Sequence, residues 1–239
     1  EILPGAQAFV IDEAHQLPEL AANFFGESFG MRPLQELARD CLVECKDVPG
    51  ALAALQVPVR ALEQSLRELR AGMEGLPTRG TRQRALAKPE VREAFDALTS
   101  SVQHLIEAVV AVAEASLGLD ACAARAKDSA TRLARWLGDE SNPDENRVVD
   151  VDSEAPLSTS DVLWYELTQR GFRCQRTPLD VSGPLREHRE RSHAAWVFTS
   201  ATLAVGGSFD HLALRLGLED PTTLLQPSPF DWPKQALCY

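Results

Sequence analysis

An α/β fold interrupted by a long helical insertion is what this sequence predicts, and three features predict it. Two short apolar runs, Ala8-Phe9-Val10-Ile11 and Ala195-Trp196-Val197-Phe198, each stop at a polar cluster. Most of the chain between them follows a helical period instead. Residues 6–11 read as a buried strand, because an apolar run of that length ending in charge fits a parallel sheet covered on both faces. Asp12 and Glu13 then stand at its carboxyl end, where open α/β sheets collect their ligands, and His15 follows two residues on.

From residue 18 to 137 the spacing is that of helices. Val59, Leu62, Leu66, Leu69 and Met73 share one helix face, and Val91, Phe95, Leu98, Val102, Leu105, Val109 and Val112 hold the same spacing for longer. Leu34, Leu37, Cys41, Leu42 and Cys45 mark a helix before them and the alanine-rich stretch 119–137 one after. Four helices packed in coiled-coil-like fashion are expected, broken at 47–50, 75–80 and Gly118, where Gly and Pro interrupt. An acidic stretch with a proline, 139–145, has linker composition. Beyond it, 148–151, 173–177 and 195–198 are expected strands and 182–191 a helix.

Composition narrows the function. Apolar residues make up 44% of 239, enough for a core, and the net charge of −11 leaves nucleic-acid binding to a local basic patch. Arg79, Arg82, Arg84, Lys88 and Arg92 form one, with Glu90 the single acid among them. The stretch 105–119 carries Glu107 and Glu114 and is too short to span a bilayer, so no membrane contact is expected. Five irregularly spaced cysteines without an apolar leader point to the reducing cytoplasm. Cys41 and Cys45 have the i, i+4 spacing of one helix face and read as small apolar core residues, since an iron–sulfur cluster needs four thiolates. Trp136, Trp164 and Trp196 stand in apolar contexts and are expected in cores; these and Trp232 are the residues that could otherwise stack on bases. The first residue is Glu, so the sequence is read as part of a longer protein.

Paired carboxylates at a strand end suit nucleotide hydrolysis. Asp12 can hold Mg2+ through the metal's own waters, and Glu13 can act as base or orienting group for the attacking water. His15 can reach toward the second strand end, where Thr199, Ser200 and Thr202 are clustered.

These boxes carry a resemblance. VIDEAHQL is similar to motif II, the Walker B box, of superfamily-two helicases, and VFTSATL to their motif III. Asp12 and Ser200 lie near opposite ends of the chain, far beyond the roughly thirty residues of one strand-helix-strand unit. A helical insertion at this place is the mark of the XPD-like DNA helicases of the DinG/YoaA type, in which it is called the Arch domain. The segments 177–182 and 226–231 also resemble the approach to motif III and the entry into a second motor domain. The resemblance implies a RecA-like motor domain at 1–17, an Arch-like insertion at 18–138, the motor domain's continuation at 139–205 and the start of a second at 206–239. It implies ATP and Mg2+ as cofactors and ATP-dependent 5′ to 3′ unwinding. Single-stranded or forked DNA would be the substrate, with a replication or repair protein as a further partner. It makes Asp12, Glu13 and His15 catalytic and Thr199, Ser200 and Thr202 the coupling residues. The family's iron–sulfur cysteines fall before motif II, outside this sequence. No G-x-x-x-x-G-K-[ST] loop occurs, so this chain alone is expected to be inactive. A binding module without catalysis, or less readily a DEAH-type RNA helicase, are the competing readings.

Overall fold

The computed structural model describes residues 5–114, 116–138 and 161–235. In chain order the elements are β1 (Ala8–Ile11), α1 (Leu17–Phe25), β2 (Glu27–Gly30), α2 (Met31–Glu44), α3 (Ala51–Gly72), β3 (Arg79–Thr81), α4 (Arg82–Leu86), α5 (Pro89–Ala113) and α6 (Leu117–Leu137). After these come β4 (Val162–Thr168), β5 (Gly171–Thr177), α7 (Ser182–Ser192), β6 (Ala195–Phe198), α8 (Asp210–Leu216) and α9 (Trp232–Gln235). The chain is mixed α/β and divides into two compact units, one of residues 5–25 with 180–235, the other Gly26–Leu179.

In the first unit β1 and β6 pair in parallel, Ala8 with Ala195 through Ile11 with Phe198, so the two polar clusters leave the sheet at the same level. Ala14, Leu203, Leu212 and Leu216 form its small core, with Ile11, Leu17, Leu185 and Phe198 packed against them. The expectation that β1 is covered on both faces is not met among the described residues. Its burial alternates, and Val10 is 69% exposed, because this unit packs side chains against one face of the pair only.

The second unit holds the long helices. α3 buries Val59, Leu62, Leu66, Leu69 and Met73 against Val91, Phe95, Leu98, Val102, Leu105 and Val109 of α5, as the periodicity predicts. Each such side chain withdrawn from water stabilises the fold by about 1.5–3 kcal/mol. Ser65 and Ser101 meet at 2.7 Å inside this seam, one hydroxyl donating to the other, and each Oγ also lies 2.9 Å from a carbonyl of its own helix, to which the accepting serine gives its proton. Small residues there let the two backbones approach. Cys41 and Cys45 are buried in the same core, as are Cys122 and Cys174. Burial and the neighbouring Cys122 push the Cys41 thiol up to about 12.

Some expectations are refined here. α6 begins at Leu117, ahead of the break expected at Gly118, because Ser116 accepts the Gly118 N–H at 3.2 Å and caps the helix with the glycine inside its first turn. The insertion, expected to be mainly helical, also holds an antiparallel sheet of β2, β5, β4 and β3, in that order. β4 is a strand that the sequence reading did not include, and β5, expected beside the second motif strand, pairs instead with β2 and β4, where Phe172, Cys174 and Tyr165 join the helices' core. The expected strand at 148–151, the linker at 139–145 and the chain's last residues, 236–239, lie outside the described residues. Of the tryptophans, Trp136 is buried as expected, whereas Trp164 and Trp196 are half-buried.

Trp136 ties the layers together. Its ring lies 5.2 Å from Phe95 of α5 and 5.9 Å from Phe29 of β2, and its Nε1 donates to the Trp164 carbonyl at 3.2 Å. Glu27 is paired with Arg176, so the chain enters the unit and leaves it in adjacent strands. Replacing Trp136 by Phe keeps most of the packing but gives up that hydrogen bond. Urea unfolding should then register a loss of about 0.5–1.5 kcal/mol.

Candidate active site

Parallel pairing sets the geometry from the backbone upward. Where β1 ends, Thr199 N–H donates to Ile11 O at 2.9 Å, and Ala14 N–H donates to Thr199 O at 3.0 Å. The loop 12–14 is thereby bracketed by a single residue of the other strand. Between the brackets Glu13 turns into the left-handed region, φ 53° and ψ 38°, and starts a short 3-10 turn, Ala14–Gln16. Neighbouring side chains on a strand point to opposite faces. The left-handed turn at Glu13 removes that constraint, and both carboxylates meet the hydroxyls of 199–200.

The side chains close two linked contacts. Thr199 Oγ1 donates to Asp12 Oδ1 at 2.8 Å, and Ser200 Oγ donates to Glu13 Oε2 at 2.8 Å. His15 Nδ1 lies 3.0 Å from Ser200 Oγ and 3.2 Å from Glu13 Oε2. A serine hydroxyl has one proton. With that proton given to Glu13, Ser200 Oγ accepts from His15 Nδ1–H and from the Thr202 N–H at 3.4 Å, while Thr202 Oγ1 stands 3.5 Å away. His15 is thus held as the Nδ1–H tautomer, with Nε2 left for another partner. All six residues named from the sequence, Asp12, Glu13, His15, Thr199, Ser200 and Thr202, meet in one cluster.

The cluster is open to solvent: the side chains of Glu13 and His15 are 58% and 41% exposed. Asp12 is held below the usual carboxylate range, first by the Thr199 hydroxyl and then by the Glu13 N–H. Among the described residues no group of three His, Cys, Asp or Glu could hold a metal by itself. That donor set fits Mg2+, which keeps most of its waters and takes one or two carboxylates together with substrate phosphates.

The basic residues named from the sequence sit elsewhere, on β3, α4 and the start of α5, rather than on a plain helix-helix turn. Arg79 donates to Glu166 Oε1 through Nε at 2.9 Å and Nη2 at 2.7 Å. Arg82 reaches Trp136 O at 3.1 Å, Lys88 reaches Glu74 O at 2.8 Å, and Arg92 reaches Leu86 O at 2.8 Å. Those three carbonyls lie at or just beyond helix C-termini, where cations satisfy orphan acceptors. Arg84 sits on α4, whose first turn Thr81 caps. The sequence did not indicate Glu166 as a partner of this cluster, although the alternation of Leu163, Tyr165 and Leu167 with Trp164 and Glu166 carries that signal.

Comparison with known proteins gives the chain three relatives. The chain is 35% identical over 99% of its length to the ATP-dependent DNA helicase YoaA of Escherichia coli (strain K12). It is 32% identical over the same share to the protein of that name from Haemophilus influenzae. Over nearly its whole length the chain is thus similar to a stretch of these YoaA helicases. A probable ATP-dependent helicase, YpvA of Bacillus subtilis (strain 168), matches at 34% identity over 74 residues, 31% of this chain and 12% of that protein. The chain spans about a third of the length of the YoaA relatives, 35% and 34%. No family model matches it.

Thr199→Val removes the hydroxyl that favours the Asp12 carboxylate, so the Asp12 pKa should rise toward the ordinary value, and Thr199→Ser should restore it. Because the native value is depressed, the Asp12–Thr199 contact is present above it and lost as pH falls through it. A carboxyl-detected NMR titration of Asp12 in the three proteins measures this directly.

Proposed function

We propose that this chain supplies the metal-facing and water-facing carboxylates of an ATP-dependent DNA helicase, together with the insertion that handles its DNA. The observation that carries the reading is the hydrogen-bonded set Asp12–Thr199 and Glu13–Ser200–His15, built across two strands that meet from opposite ends of the chain. The likeness to the YoaA helicases over 99% of the chain supports it. In this reading the first unit is part of a RecA-like motor domain and the second is Arch-like. The sheet that β4 and β5 build with β2 and β3 supports counting 161–179 with the insertion, where the sequence expectation puts 139–205 in the motor domain.

Asp12 would hold Mg2+, which when bound neutralises phosphate charge on the nucleotide. Thr199 keeps the Asp12 carboxylate ionised and fixed in direction. Glu13 orients the attacking water and receives its proton at a carboxylate oxygen. Ser200 holds the other role: its hydroxyl restrains Glu13 Oε2 and also touches His15, so a change at either is felt at β6. That arrangement suits coupling, since Ser200 and Thr202 begin the segment leading into 206–239, the proposed start of a second motor domain. The direction of movement proposed is 5′ to 3′, on single-stranded or forked DNA, in the cytoplasm. Arg79, Arg82, Arg84, Lys88 and Arg92 are proposed as phosphate contacts; the carbonyl contacts of Arg82, Lys88 and Arg92 leave their charge in place, whereas Arg79 shares its charge with Glu166.

In the full-length protein, Glu13→Gln should leave nucleotide binding nearly intact while lowering turnover by about a hundredfold or more. Stopped-flow ATPase and equilibrium nucleotide binding separate the two, and unchanged turnover removes Glu13 from its role. Changing Ser200 and Thr202 together to Ala should depress unwinding much more than DNA-stimulated hydrolysis. Equal losses in a gel-based unwinding assay and a phosphate-release assay would argue against coupling.

A further inference from the structure

Register and period-two alternation sort the side chains of the antiparallel sheet onto two faces. Phe29, Cys174 and Tyr165 lie in one row and, with Leu163, Leu167 and Phe172, join the core of the helices. The intervening residues take the other face. One row there is Ser28, Gln175, Trp164 and Thr81, and the next carries Arg173, Glu166 and Arg79. These side chains are exposed or half-exposed, with Arg79 at 69%.

Trp164 on this face is restrained from two sides. Its Nε1 donates to Thr177 Oγ1 at 3.0 Å, and the Arg79 guanidinium carbon stands over its ring, 5.6 Å from the centroid. Arg79 is itself fixed by its two hydrogen bonds to Glu166 Oε1. Three strands therefore interlock an indole and a guanidinium, with the indole's only polar atom satisfied at its edge. A guanidinium held over an indole, both already ordered, offers a nucleobase a planar cation with an aromatic behind it, so that a base stacks there at small further entropic cost. Charge agrees with this. Arg79 and Arg173 are two cations against the one acid Glu166 on the face, in a chain whose net charge is −11. A polyanion with unpaired bases fits that contrast better than a basic or neutral partner does.

We propose that the open face of this sheet is a binding site for single-stranded DNA, in which a base stacks at Trp164 and Arg79 and the backbone runs toward Arg173. The proposal rests on the helicase reading above for its choice of nucleic acid. It differs from the phosphate patch of residues 79–92 in requiring bases as well as charge.

The test uses full-length protein and fluorescence anisotropy with two oligomers of equal length, one oligothymidylate and one abasic. Trp164→Ala should weaken oligothymidylate binding by about tenfold, and Trp164→Phe should recover most of it. Binding of the abasic oligomer should not change with either variant, because only phosphates remain. Arg173→Gln should flatten the slope of log affinity against log salt by about 0.7. Wild-type affinity and salt slope in a Trp164→Ala protein of unchanged melting temperature overturns the proposal and leaves the Arg79–Trp164 pair a structural one. Should that variant unfold, wild-type protein irradiated with an iododeoxyuridine oligomer decides instead. A crosslinked peptide containing Trp164 supports the site, and crosslinks confined to other peptides overturn it. DNA-stimulated ATP hydrolysis is measured alongside; its absence in wild type sinks the helicase reading, whereas the anisotropy series judges the site alone.

Discussion

The candidate site depends on one residue's backbone. Thr199 N–H and C=O take up Ile11 O and Ala14 N–H, and only with both bonds made does the loop between them have a fixed path. The left-handed conformation of Glu13 would be disfavoured in an unrestrained chain, and the bracketing bonds hold it there. The side-chain bond from Thr199 to Asp12 then adds a third restraint from the same residue. Strand pairing, loop conformation and carboxylate direction are consequently one cooperative arrangement rather than three.

Cations in the second unit do more structural duty than their number in the sequence implies. Arg82, Lys88 and Arg92 each meet a carbonyl left over where a helix ends, and Arg125 joins α6 to α2 through Asp40 at 2.5 Å. Exposed pairs of this kind stabilise by little individually. Their geometric effect is larger: they fix where the long helices stop, and so where the sheet between them begins. Substituting them in a search for DNA contacts therefore needs a check on folding in the same protein.

Long elements were legible from the sequence because repetition averages out local noise. The faces of α3 and α5 follow from spacing alone, and the strand ends at Asp12 and Thr199 from apolar runs that stop at polar clusters. The contact of His15 with the second strand end was also readable, since motif and spacing both pointed there. Short elements were not. β2 is Glu-Ser-Phe-Gly and β3 is Arg-Gly-Thr, too brief for any period, and both are strands because β5 and β4 lie beside them. Trp164 was read as core because Leu163, Trp164 and Tyr165 look continuous, whereas in the sheet they alternate between faces. Pairing across the chain is hidden for a related reason: the acidic stretch 139–145 has linker composition, and composition cannot reveal that β5, further on, pairs with β2.

The adjacency of Glu27 and Arg176 has an evolutionary consequence. Two neighbouring strands stand about 4.8 Å apart, so the insertion departs from its host and rejoins it through nearly the same point. A segment with that geometry behaves as a cassette. It can lengthen, acquire a sheet or exchange its helices without altering the span its host must bridge, while the strand ends carrying Asp12 and Thr199 are held to their spacing. The insertion is then the place where members of such a family would diversify in what they grip, with the chemistry left unchanged.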